Sequence, residues 1–406
     1  MAHAAVFPGI KAGDGPLLLC SSEDCPTVIF DAICQAVEAE GLDYVTCTVR
    51  SLHDSTVGDA RWRAAIILAL DFCAALEDGI PAIMSVRKQC HTAFTIFFGP
   101  AASEDAELRL RLFGAGAQMV TDHLPHLREA LRRVALLGRG GGGFSCPSCG
   151  LSGMTEDELH LHHPLYHTCQ PNTNSTCPIC GVDSNRRQER NFALHLHNSH
   201  GPHEEREPPL APFAAFAWTV CRRRDGCFLL VNEPAAISRG APRYWLPAGR
   251  VDTGESLLQA ACRETLEEGG VAVQVTGVLR FMCSGLKSCE PCPRIIFLAE
   301  PVDDGCTVPK SIPDWESAGA LWVQAKVVQS LDDDFFRSPD PVELFPAVES
   351  GALCSYPVDT KAFHAFDQLL VQFTDGSGPK YGKGDHLRKA WKELRRCYPS
   401  EIFFER

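Results

Sequence analysis

The first 137 residues alternate short runs of apolar residues with stretches of helical periodicity. A helical pattern also closes this region, over residues 125–137. Short apolar runs separated by helical segments are typical of a parallel sheet with helices on both faces. The region is therefore predicted to be a doubly wound, five-stranded α/β domain, whose candidate strands are residues 16–20, 44–49, 64–70, 93–99 and 118–121.

Two segments rich in glycine or proline divide the rest of the chain. One is the glycine run at residues 138–143, and the other is the polar, proline-rich stretch at residues 201–212. Such segments are typical of connections between domains. The last part of the chain contains a basic stretch with a helical pattern (380–396), which is compatible with a packed helix or with a loose tail. The predicted regions are residues 1–137, 144–203, 212–350 and a basic C-terminal tail, 351–406.

Composition narrows the classes of protein that the chain can represent. Hydrophobic residues make up 45% and charged residues 22% of its 406 residues, which excludes a wholly disordered or collagen-like chain. The net charge of −13 argues against a protein that coats nucleic acid along its whole length. No apolar run approaches the length of a bilayer span, and the N-terminus lacks the pattern of a signal peptide, so no membrane partner is expected.

The use of cysteine gives an expectation about the cellular compartment. Twenty cysteines are present, and several of them form CxxC pairs close to histidines. This usage favours reduced thiols and metal sites over a secreted disulfide scaffold. We therefore expect an intracellular protein, located in the cytoplasm or, as an alternative, in the nucleus.

The N-terminal region resembles the receiver domain of two-component response regulators. Asp71 follows the third predicted strand and lies at the receiver spacing from an Asp-Gly turn at residues 78–79. Other positions depart from the family: Gly99 ends the fourth strand where receivers carry Ser or Thr, and Asp122 stands near the position of their Lys. Phosphoryl transfer needs that Lys and a metal site. We therefore predict a degenerate receiver-like domain without a phosphosite at Asp71.

Two Cys/His clusters in the region 144–203 have the spacing of zinc ligands. In each cluster a CxxC pair is followed by two histidines with four residues between them. Two thiolates on a tight turn and two imidazoles about one helical turn apart converge on a tetrahedral ion. In the first cluster, His160 and His163 remain alternative ligands. The predicted Zn²⁺ ligands are Cys146, Cys149, His162 and His167 in one cluster, and Cys177, Cys180, His195 and His200 in the other.

The pair of clusters resembles the tandem C2H2 zinc fingers of drought-induced-19 and RING-finger-114-like proteins, which share the CPxCG and CPIC turns. A protein-binding or structural role is favoured for the pair, and the candidate partners are a protein, ubiquitin or RNA. The first finger helix is acidic at residues 155–159 and the linker between the fingers is long, which argues against sequence-specific DNA binding. Basic residues near the second helix would allow weak contact with nucleic acid; they are Arg186, Arg187 and Arg190.

The segment 249–271 carries the strongest chemical pattern in the chain. Residues 256–269 have helical spacing, and glycines end the predicted helix. Glu264, Glu267 and Glu268 are spaced i, i+3 and i+4, so their carboxylates share one side of the last helical turns. Carboxylates clustered there repel each other and oppose the helix dipole, and a bound divalent cation removes this cost. Hard oxygen ligands favour Mg²⁺ or Mn²⁺.

The same segment is identified as a Nudix box, with the pattern Gly-x5-Glu-x7-Arg-Glu-U-x-Glu-Glu-x-Gly-U, in which U is aliphatic. Every fixed position matches, and Thr265 is a soft substitution at one U position. The resemblance covers the region 212–350. It implies an α/β/α fold with a mixed sheet, and metal-assisted attack of water on a nucleoside diphosphate linked to another group.

Functional positions of the family are carried over one by one. The implied metal ligands are Glu264, Glu268 and the Gly249 backbone, and Glu267 is a further ligand or the base. Arg263, partnered by Glu255, would orient the glutamates.

Residues outside the box are expected to select the substrate. The run from Trp245 to Val251 resembles the Leu-Pro-Ala-Gly-Arg run of Nudix enzymes that hydrolyse oxidised guanine diphosphates such as 8-oxo-dGDP. For the aromatic residues, packing in the core is an equally good interpretation. The predicted substrate contacts are Trp245, Leu246, Arg250 and Phe281.

The sequence thus predicts a multidomain α/β protein with a Nudix pyrophosphohydrolase domain that acts on the acid anhydride of a nucleotide diphosphate. Two alternatives stay open. In one, the Nudix domain is catalytically silent and senses nucleotides. In the other, the protein is mainly an adaptor whose zinc fingers bind a protein, ubiquitin or RNA.

Overall fold

The computed structural model describes most of the chain. Three sequence features lie outside the described residues, wholly or in part: the start of the glycine run, most of the proline-rich connection, and the three arginines near the second finger helix. The described residues are 15–22, 25–49, 52, 62–137, 141–170, 176–183, 192–202, 211–235, 243–286, 291–303, 307–379 and 382–405.

The chain packs as two compact units, which we call the N-terminal unit and the C-terminal unit. The N-terminal unit comprises Met1–Arg206, Asn232–Arg243 and Ser311–Ala318. The C-terminal unit comprises Glu207–Val231, Tyr244–Lys310 and Gly319–Arg406.

A parallel sheet of five strands forms the centre of the N-terminal unit, with the strand order β2-β1-β3-β4-β5. Each of the five strands expected from the apolar runs is present, and this order is one of the two common orders of doubly wound folds. The strands are β1 (Leu17–Ser21), β2 (Tyr44–Thr48), β3 (Ala64–Leu68), β4 (Phe94–Phe98) and β5 (Met119–Thr121). The helices are α1 (Thr27–Ala39), α2 (Phe72–Ala74), α3 (Ile80–Gln89), α4 (Ala101–Glu104), α5 (Ala106–Ala115) and α6 (Leu124–Leu136), and a π-helix at Ala75–Gly79 joins α2 to α3.

Both faces of this sheet are covered, as its almost continuously apolar strands require. Ile66 and Ile67 are neighbours on β3 and belong to two different apolar clusters, because successive side chains of a strand point to opposite faces. Asp71 caps the helix that begins after β3, since its side chain accepts a hydrogen bond from the Ala74 N–H (2.7 Å). Asp71 therefore has a structural role at the position where receivers carry their phospho-acceptor.

The first Cys/His cluster is built into the N-terminal unit. It contains the antiparallel strands β6 (Phe144–Ser145) and β7 (Ser152–Met154) and the helix α7 (Glu156–His167), and the second cluster contributes α8 (Phe192–His200). Leu165 and Tyr166 of α7 belong to one of the apolar clusters of the five-stranded domain. The Gln118 side chain also donates a hydrogen bond to the Tyr166 carbonyl (3.0 Å). Helix α7 is thus anchored on one side by this core.

Two short segments of the predicted Nudix region also belong to the N-terminal unit. Asn232 starts one of them, and its Oδ1 accepts a buried hydrogen bond from Arg109 Nε (2.9 Å). Trp315 lies in the other, and its ring stacks on His197 of α8 with the centroids 3.7 Å apart. The N-terminal unit therefore includes two segments that the sequence pattern assigned to another domain.

The C-terminal unit is built on a mixed five-stranded sheet and a three-stranded sheet, with the orders β11-β8-β13-β12-β15 and β10-β9-β14. In the larger sheet, β8 is antiparallel to β11 and parallel to β13. The strands are β8 (Phe216–Cys221), β9 (Phe228–Glu233), β10 (Arg243–Trp245), β11 (Ala248–Arg250), β12 (Val273–Ser284), β13 (Cys292–Pro301), β14 (Ala320–Val323) and β15 (Phe403–Glu405). The helices are α9 (Leu257–Gly269), α10 (Ala325–Ser330), α11 (Asp340–Glu349), α12 (Lys361–Thr374) and α13 (Lys383–Cys397), with 3-10 turns at Asp333–Phe335 and Ser400–Ile402.

The region after residue 350 folds against the larger sheet of this unit. Helices α12 and α13 bury Phe363, Phe366 and Trp391 in the same apolar cluster as Phe281, and β15 adds a parallel edge strand beside β12. The described part of the basic stretch is therefore a packed amphipathic helix. Within the described parts of the chain, no helix has the length and apolar character needed to cross a membrane.

Candidate active site

Helix α9 carries the glutamates of the box, and local sequence fixes both of its ends. Ser256 and Gln259 form a capping box, in which each side chain accepts a hydrogen bond from the other residue's N–H. At the other end, Gly270 adopts a left-handed conformation (φ 73°) that favours glycine. The helix of the structure, Leu257–Gly269, thus follows the expected span of residues 256–269.

Glu264 and Glu268 lie one helical turn apart on α9 and are both buried, with 6% and 8% of their surfaces exposed. A carboxylate oxygen of one lies within 4.8 Å of a carboxylate oxygen of the other. Strand β11 lies against both: the Ala248 N–H donates to Glu268 Oε2 (2.8 Å). A Cβ on Gly249 would come within 1.9 Å of Glu264 Oε1. The missing side chain at Gly249 therefore makes room for the carboxylate of Glu264.

Arg263 makes its short contacts with three acidic residues of the box, and a fourth, Asp252, lies 3.7 Å from its Nε. Its Nε and Nη2 donate to the two oxygens of Glu255, each at 2.9 Å. Its Nη1 donates to Glu267 Oε2 at 2.8 Å and lies 2.9 Å from Glu264 Oε1. The planar fork of an arginine suits such bidentate pairing. The structure therefore brings together the pair that the sequence assigned to orienting the glutamates.

The electrostatics of this group favour a bound cation. Burial raises the pKa of Glu264 to about 7, against the opposing charge of Arg263, and Glu267 adds to the rise. Burial likewise raises the pKa of Glu267, again against Arg263. Burial on its own would lower the pKa of Arg263, but Glu255 and the neighbouring carboxylates raise it. Raised carboxylate pKa values indicate negative charge that the surrounding protein does not fully neutralise.

The N-terminal end of α9 is also capped by a distant helix. Asp367 of α12 is buried, and its Oδ1 accepts a hydrogen bond from the Leu257 N–H (2.8 Å). Thr374, on the same helix, accepts from the Gly254 N–H (3.3 Å). A carboxylate at a helix N-terminus complements the helix dipole. Sequence reasoning missed these contacts, because no pattern in the box indicates a partner 110 positions away.

The C-terminal end of α9 has a cationic partner that was missed in the same way. Lys310 Nζ donates to the Glu267 carbonyl (2.7 Å), and the Lys310 N–H donates to the Gly269 carbonyl (2.9 Å). A lysine at this end satisfies terminal carbonyls and complements the dipole. It also offsets part of the repulsion among the clustered carboxylates.

Two of the residues expected to contact substrate lie in the interior of the C-terminal unit. Trp245 is 5% exposed and packs between the Arg337 guanidinium, 4.0 Å from its ring centroid, and Trp218, at 4.8 Å. Leu246 is fully buried. Arg250 is half-buried, and it donates to a backbone carbonyl of the segment before β8. Of these three predicted contacts, Arg250 keeps the most exposed side chain.

Phe281 packs in the core, which was the alternative interpretation of this residue. Its ring is fully buried. It stacks on Phe403 of β15 with the centroids 5.0 Å apart, and it meets Trp391 edge-on at 6.1 Å. The ring of Phe281 is therefore not available to a substrate. The C-terminal helices cover it, and the sequence pattern did not assign these helices to this core.

A cleft of about 310 Å³ lies among β8, β12, β13 and β15. This volume is at the lower end of the range for small-molecule sites. Trp218 pairs in register with Ala248, whose N–H binds Glu268, so one strand pair links the cleft to the carboxylates. The lining residues are Trp218, Met282, Cys283, Ser284, Arg294 and Phe404.

In the first Cys/His cluster, the four ligand atoms of Cys146, Cys149, His162 and His167 lie within 4.8 Å of one another. The Cys149 Sγ–His162 Nε2 and Cys146 Sγ–His167 Nε2 distances are both 3.4 Å, and the two Nε2 atoms are 3.3 Å apart. Metal bonds of about 2.3 Å to sulfur and about 2.0–2.1 Å to nitrogen give tetrahedron edges of about 3.5 Å (N–S) and about 3.3 Å (N–N). The cluster has the dimensions of a zinc site.

The second cluster has similar dimensions. Its atoms from Cys177, Cys180, His195 and His200 also lie within 4.8 Å of one another, with both Sγ–Nε2 distances at 3.5 Å. The other ring nitrogen of His200 donates to Glu156 Oε1 (2.8 Å). Such an outer contact leaves Nε2 with the lone pair that binds metal.

Comparisons with known proteins find similarity over part of the chain. Residues 211–343 match the family model described as the NUDIX domain. A Caenorhabditis elegans protein with the name "Putative nudix hydrolase 1" is 31% identical over 134 residues, which are 30% of this chain and 34% of that protein. The chain thus spans only about a third of the length of that relative.

Solved structures are similar to between about a third and two fifths of the chain. A NUDIX hydrolase from Nitrosomonas europaea is 24% identical, covering 36% of this chain and 94% of its own, with a TM-score of 0.28. A UDP-X diphosphatase is 18% identical, covering 43% of this chain and 75% of its own, with a TM-score of 0.27.

Proposed function

Since residues 211–343 match the family model of the NUDIX domain, we propose that the protein is a pyrophosphohydrolase that cleaves a nucleoside diphosphate linked to another group. The observation that carries the proposal is the buried pair Glu264 and Glu268 beside Gly249. Buried carboxylates lose their hydration, and a hard cation such as Mg²⁺ or Mn²⁺ compensates for that loss. When bound, the cation would neutralise phosphate charge and lower the pKa of the attacking water.

In this proposal, residues of the chain have three roles: some bind the cation, one accepts a proton from water, and one keeps the carboxylates in position. Glu264, Glu268 and the backbone of Gly249 hold the cation. Glu267 is the general base, because its side chain is 40% exposed and burial raises its pKa above the ordinary value of a glutamate. Arg263 keeps the carboxylates of Glu267 and Glu264 in place through its hydrogen bonds and charge.

The cleft among β8, β12, β13 and β15 is the proposed site for the base of the nucleotide. Trp218 and Met282 supply apolar surface for a planar ring. Arg294 supplies donors, and it donates to Ser284 Oγ (3.0 Å). An oxidised guanine carries additional polar groups on its ring, which such donors can bind. This supports 8-oxo-dGDP as the first substrate to test.

The test uses the full-length protein with Mg²⁺ and a panel of nucleoside diphosphates, triphosphates, ADP-ribose and capped RNA, with the products separated by chromatography. We expect hydrolysis of at least one diphosphate linkage, and a loss of about 100-fold or more in Glu268→Gln. Glu300→Gln, which changes an exposed carboxylate on β13, is the matched control and should keep full activity. Full activity in Glu268→Gln would contradict the metal-ligand role, and preference for another nucleotide would contradict only the substrate.

We also propose that each Cys/His cluster binds one structural Zn²⁺. The interatomic distances and the outer contact of His200 support it. Elemental analysis should find two zinc ions per chain and one in Cys149→Ser or Cys180→Ser. Cys73→Ser, which removes an exposed thiol outside the clusters, should retain both. A zinc content that is unchanged by both ligand substitutions would contradict this assignment.

The adaptor role is a second proposal, with a protein, ubiquitin or RNA as the partner of the fingers. Part of α7 is already engaged, because Leu165 and Tyr166 pack in the core of the N-terminal unit. The hydrolase proposal is therefore the better supported of the two. Pull-down with full-length protein, with and without a zinc chelator, tests the adaptor: loss of a specific partner on chelation would support it, and no such partner would count against it.

A further inference from the structure

Two cysteines face each other across neighbouring strands of the N-terminal sheet. Cys20 on β1 pairs in register with Cys47 on β2, and their sulfur atoms lie 2.9 Å apart. Adjacent strands are about 4.7–4.9 Å apart, which falls within the Cα separation of about 4.4–6.8 Å that a disulfide requires. A covalent bond can therefore join the two sulfurs with little movement of the backbone.

The two thiols differ in their access to solvent. Cys20 is fully buried, because β1 lies inside the sheet between β2 and β3. Cys47 is half-buried, because β2 is the edge strand and exposes several of its residues. A small oxidant from solvent therefore reaches Cys47 first, and Cys20 stays protected behind it.

The contact between the sulfurs also makes the pKa values of the two thiols differ, and so their reactivity. The hydrogen bond with Cys20 lowers the pKa of Cys47, against the effect of burial. The same contact and burial raise the pKa of Cys20. Peroxides react with the thiolate form of an accessible cysteine. Geometry and reactivity agree that Cys47 is the residue attacked first.

We propose that Cys20 and Cys47 form a reversible, peroxide-sensitive disulfide that cross-links the edge strand of the N-terminal sheet. The Cys47 thiolate attacks one oxygen of a hydroperoxide and the O–O bond breaks. This leaves a sulfenic acid on Cys47, and the other oxygen departs as water or an alcohol after taking up a proton. The Cys20 sulfur then attacks the Cys47 sulfur, and the displaced hydroxide leaves as water with the Cys20 proton.

The reaction balances in atoms, protons and electrons. Two thiols give two electrons and two protons to one hydroperoxide, and the products are a disulfide, one water and one water or alcohol. A dithiol reductant reverses the change by taking the two sulfurs back to thiols and becoming a disulfide itself. The inference does not depend on the hydrolase proposal, because it uses only residues of the N-terminal unit.

Oxidation is expected to restrain the edge of the sheet. Among the described strands, β2 has only β1 as a neighbour in the sheet, so its backbone can separate from these strands along one line of hydrogen bonds. A cross-link between the two strands closes the chain segment that contains α1 and limits the open states of this segment. The amide hydrogens of β2 should therefore exchange more slowly with solvent in the oxidised protein than in the reduced protein.

The test treats the full-length protein with hydrogen peroxide, blocks the remaining thiols, and maps unreduced peptides by mass spectrometry. We expect a peptide pair joined through Cys20 and Cys47 that dithiothreitol separates. In Cys20→Ser, dimedone should trap a sulfenic acid on Cys47, whereas Cys20 in Cys47→Ser should remain unmodified at the same dose. Cys73→Ser is the matched control, since it removes an exposed thiol of the same unit, and it should form the joined peptide as the wild type does.

Three outcomes would overturn the inference. One is the absence of the joined peptide in wild-type protein that keeps its normal circular dichroism. Another is trapping of the sulfenic acid on Cys20 instead of Cys47. The third is equal hydrogen exchange of β2 in the oxidised and reduced forms, which needs no substitution and so does not depend on the folding of a variant.

Discussion

Replacing Gly249 with alanine tests the candidate site through a single added methyl group. Its Cβ would lie 1.9 Å from Glu264 Oε1, whereas ordinary contact starts at 3.4 Å, so the carboxylate must move by the difference of 1.5 Å. Gly249 is not in the left-handed region, so the backbone itself accepts alanine. A displacement of about 1 Å at a reacting centre can cost about 100-fold in rate, which corresponds to about 2.7 kcal/mol in the activation free energy. The free energy of unfolding should fall by about 1–3 kcal/mol, the range for adding a carbon to a packed site.

The assay measures turnover of the best nucleotide from the panel as a function of Mg²⁺ concentration, together with urea unfolding. We expect Gly249→Ala to need more Mg²⁺ and to lose about 100-fold in kcat. Gly114→Ala is the matched control, because a Cβ there has no neighbour within 4 Å and the site lies on α5. It should keep the full rate. Wild-type kcat and Mg²⁺ dependence in a folded Gly249→Ala protein would refute the position assigned to the Glu264 carboxylate.

Substitutions at three other contacts should have measurable effects. Arg263→Lys replaces the bidentate pair with Glu255 by a point charge, and kcat/KM should fall by about 10–100-fold; an unchanged value would contradict the orienting role. Burial raises the pKa of Asp367, so the free energy of unfolding of the wild type should fall relative to Asp367→Asn as the pH rises from about 4 to 7. The reason is that the folded protein then has to bury a charged carboxylate, and the opposite slope in urea unfolding would refute this. Phe281→Leu should lower the free energy of unfolding by about 1–3 kcal/mol and leave KM unchanged, whereas a raised KM at unchanged stability would indicate substrate contact.

The parts of the site that could be predicted from the sequence are those with a local cause. The spacing of Glu264, Glu267 and Glu268 places their carboxylates on one side of any α-helix, whatever packs around it. Ser256 and Gly270 mark the two ends of that helix through their own conformational preferences. The five strands of the N-terminal sheet were predictable for a similar reason, since each is a short apolar run between helical segments.

The parts that could not be predicted depend on segments that meet only in the folded chain. The N–H groups at the start of α9 need acceptors, but nothing in the box specifies that Asp367 supplies one. In the same way, nothing in the box indicates that Lys310 binds the carbonyls at the other end of the helix. An aromatic residue in an alternating strand, such as Phe281, fits a cleft or a core equally well. Only the packing of the C-terminal helices decides between the two.

The histidines of the first Cys/His cluster show how folding adds information that an ambiguous pattern lacks. Four histidines lie within one short stretch, and spacing alone left two of them as alternatives. In the structure, His163 Nε2 contacts Ser148 Oγ (3.2 Å), and His160 stacks with His197 (5.7 Å). His162 and His167 reach the two thiols. The contacts of each histidine depend on the direction in which its side chain leaves α7, and the spacing along the sequence does not give this direction.

The hydrolase function rests on one proposal, that Glu264 and Glu268 together hold one divalent cation. Its most direct test is Mn²⁺ binding to the full-length protein, measured by calorimetry in the absence of nucleotide, for the wild type, Glu264→Gln, Glu268→Gln and the double variant. We predict that each single substitution weakens binding by about 10-fold or more, that the double variant loses the site, and that Glu300→Gln binds like the wild type. Wild-type Mn²⁺ affinity in the folded double variant would contradict the claim.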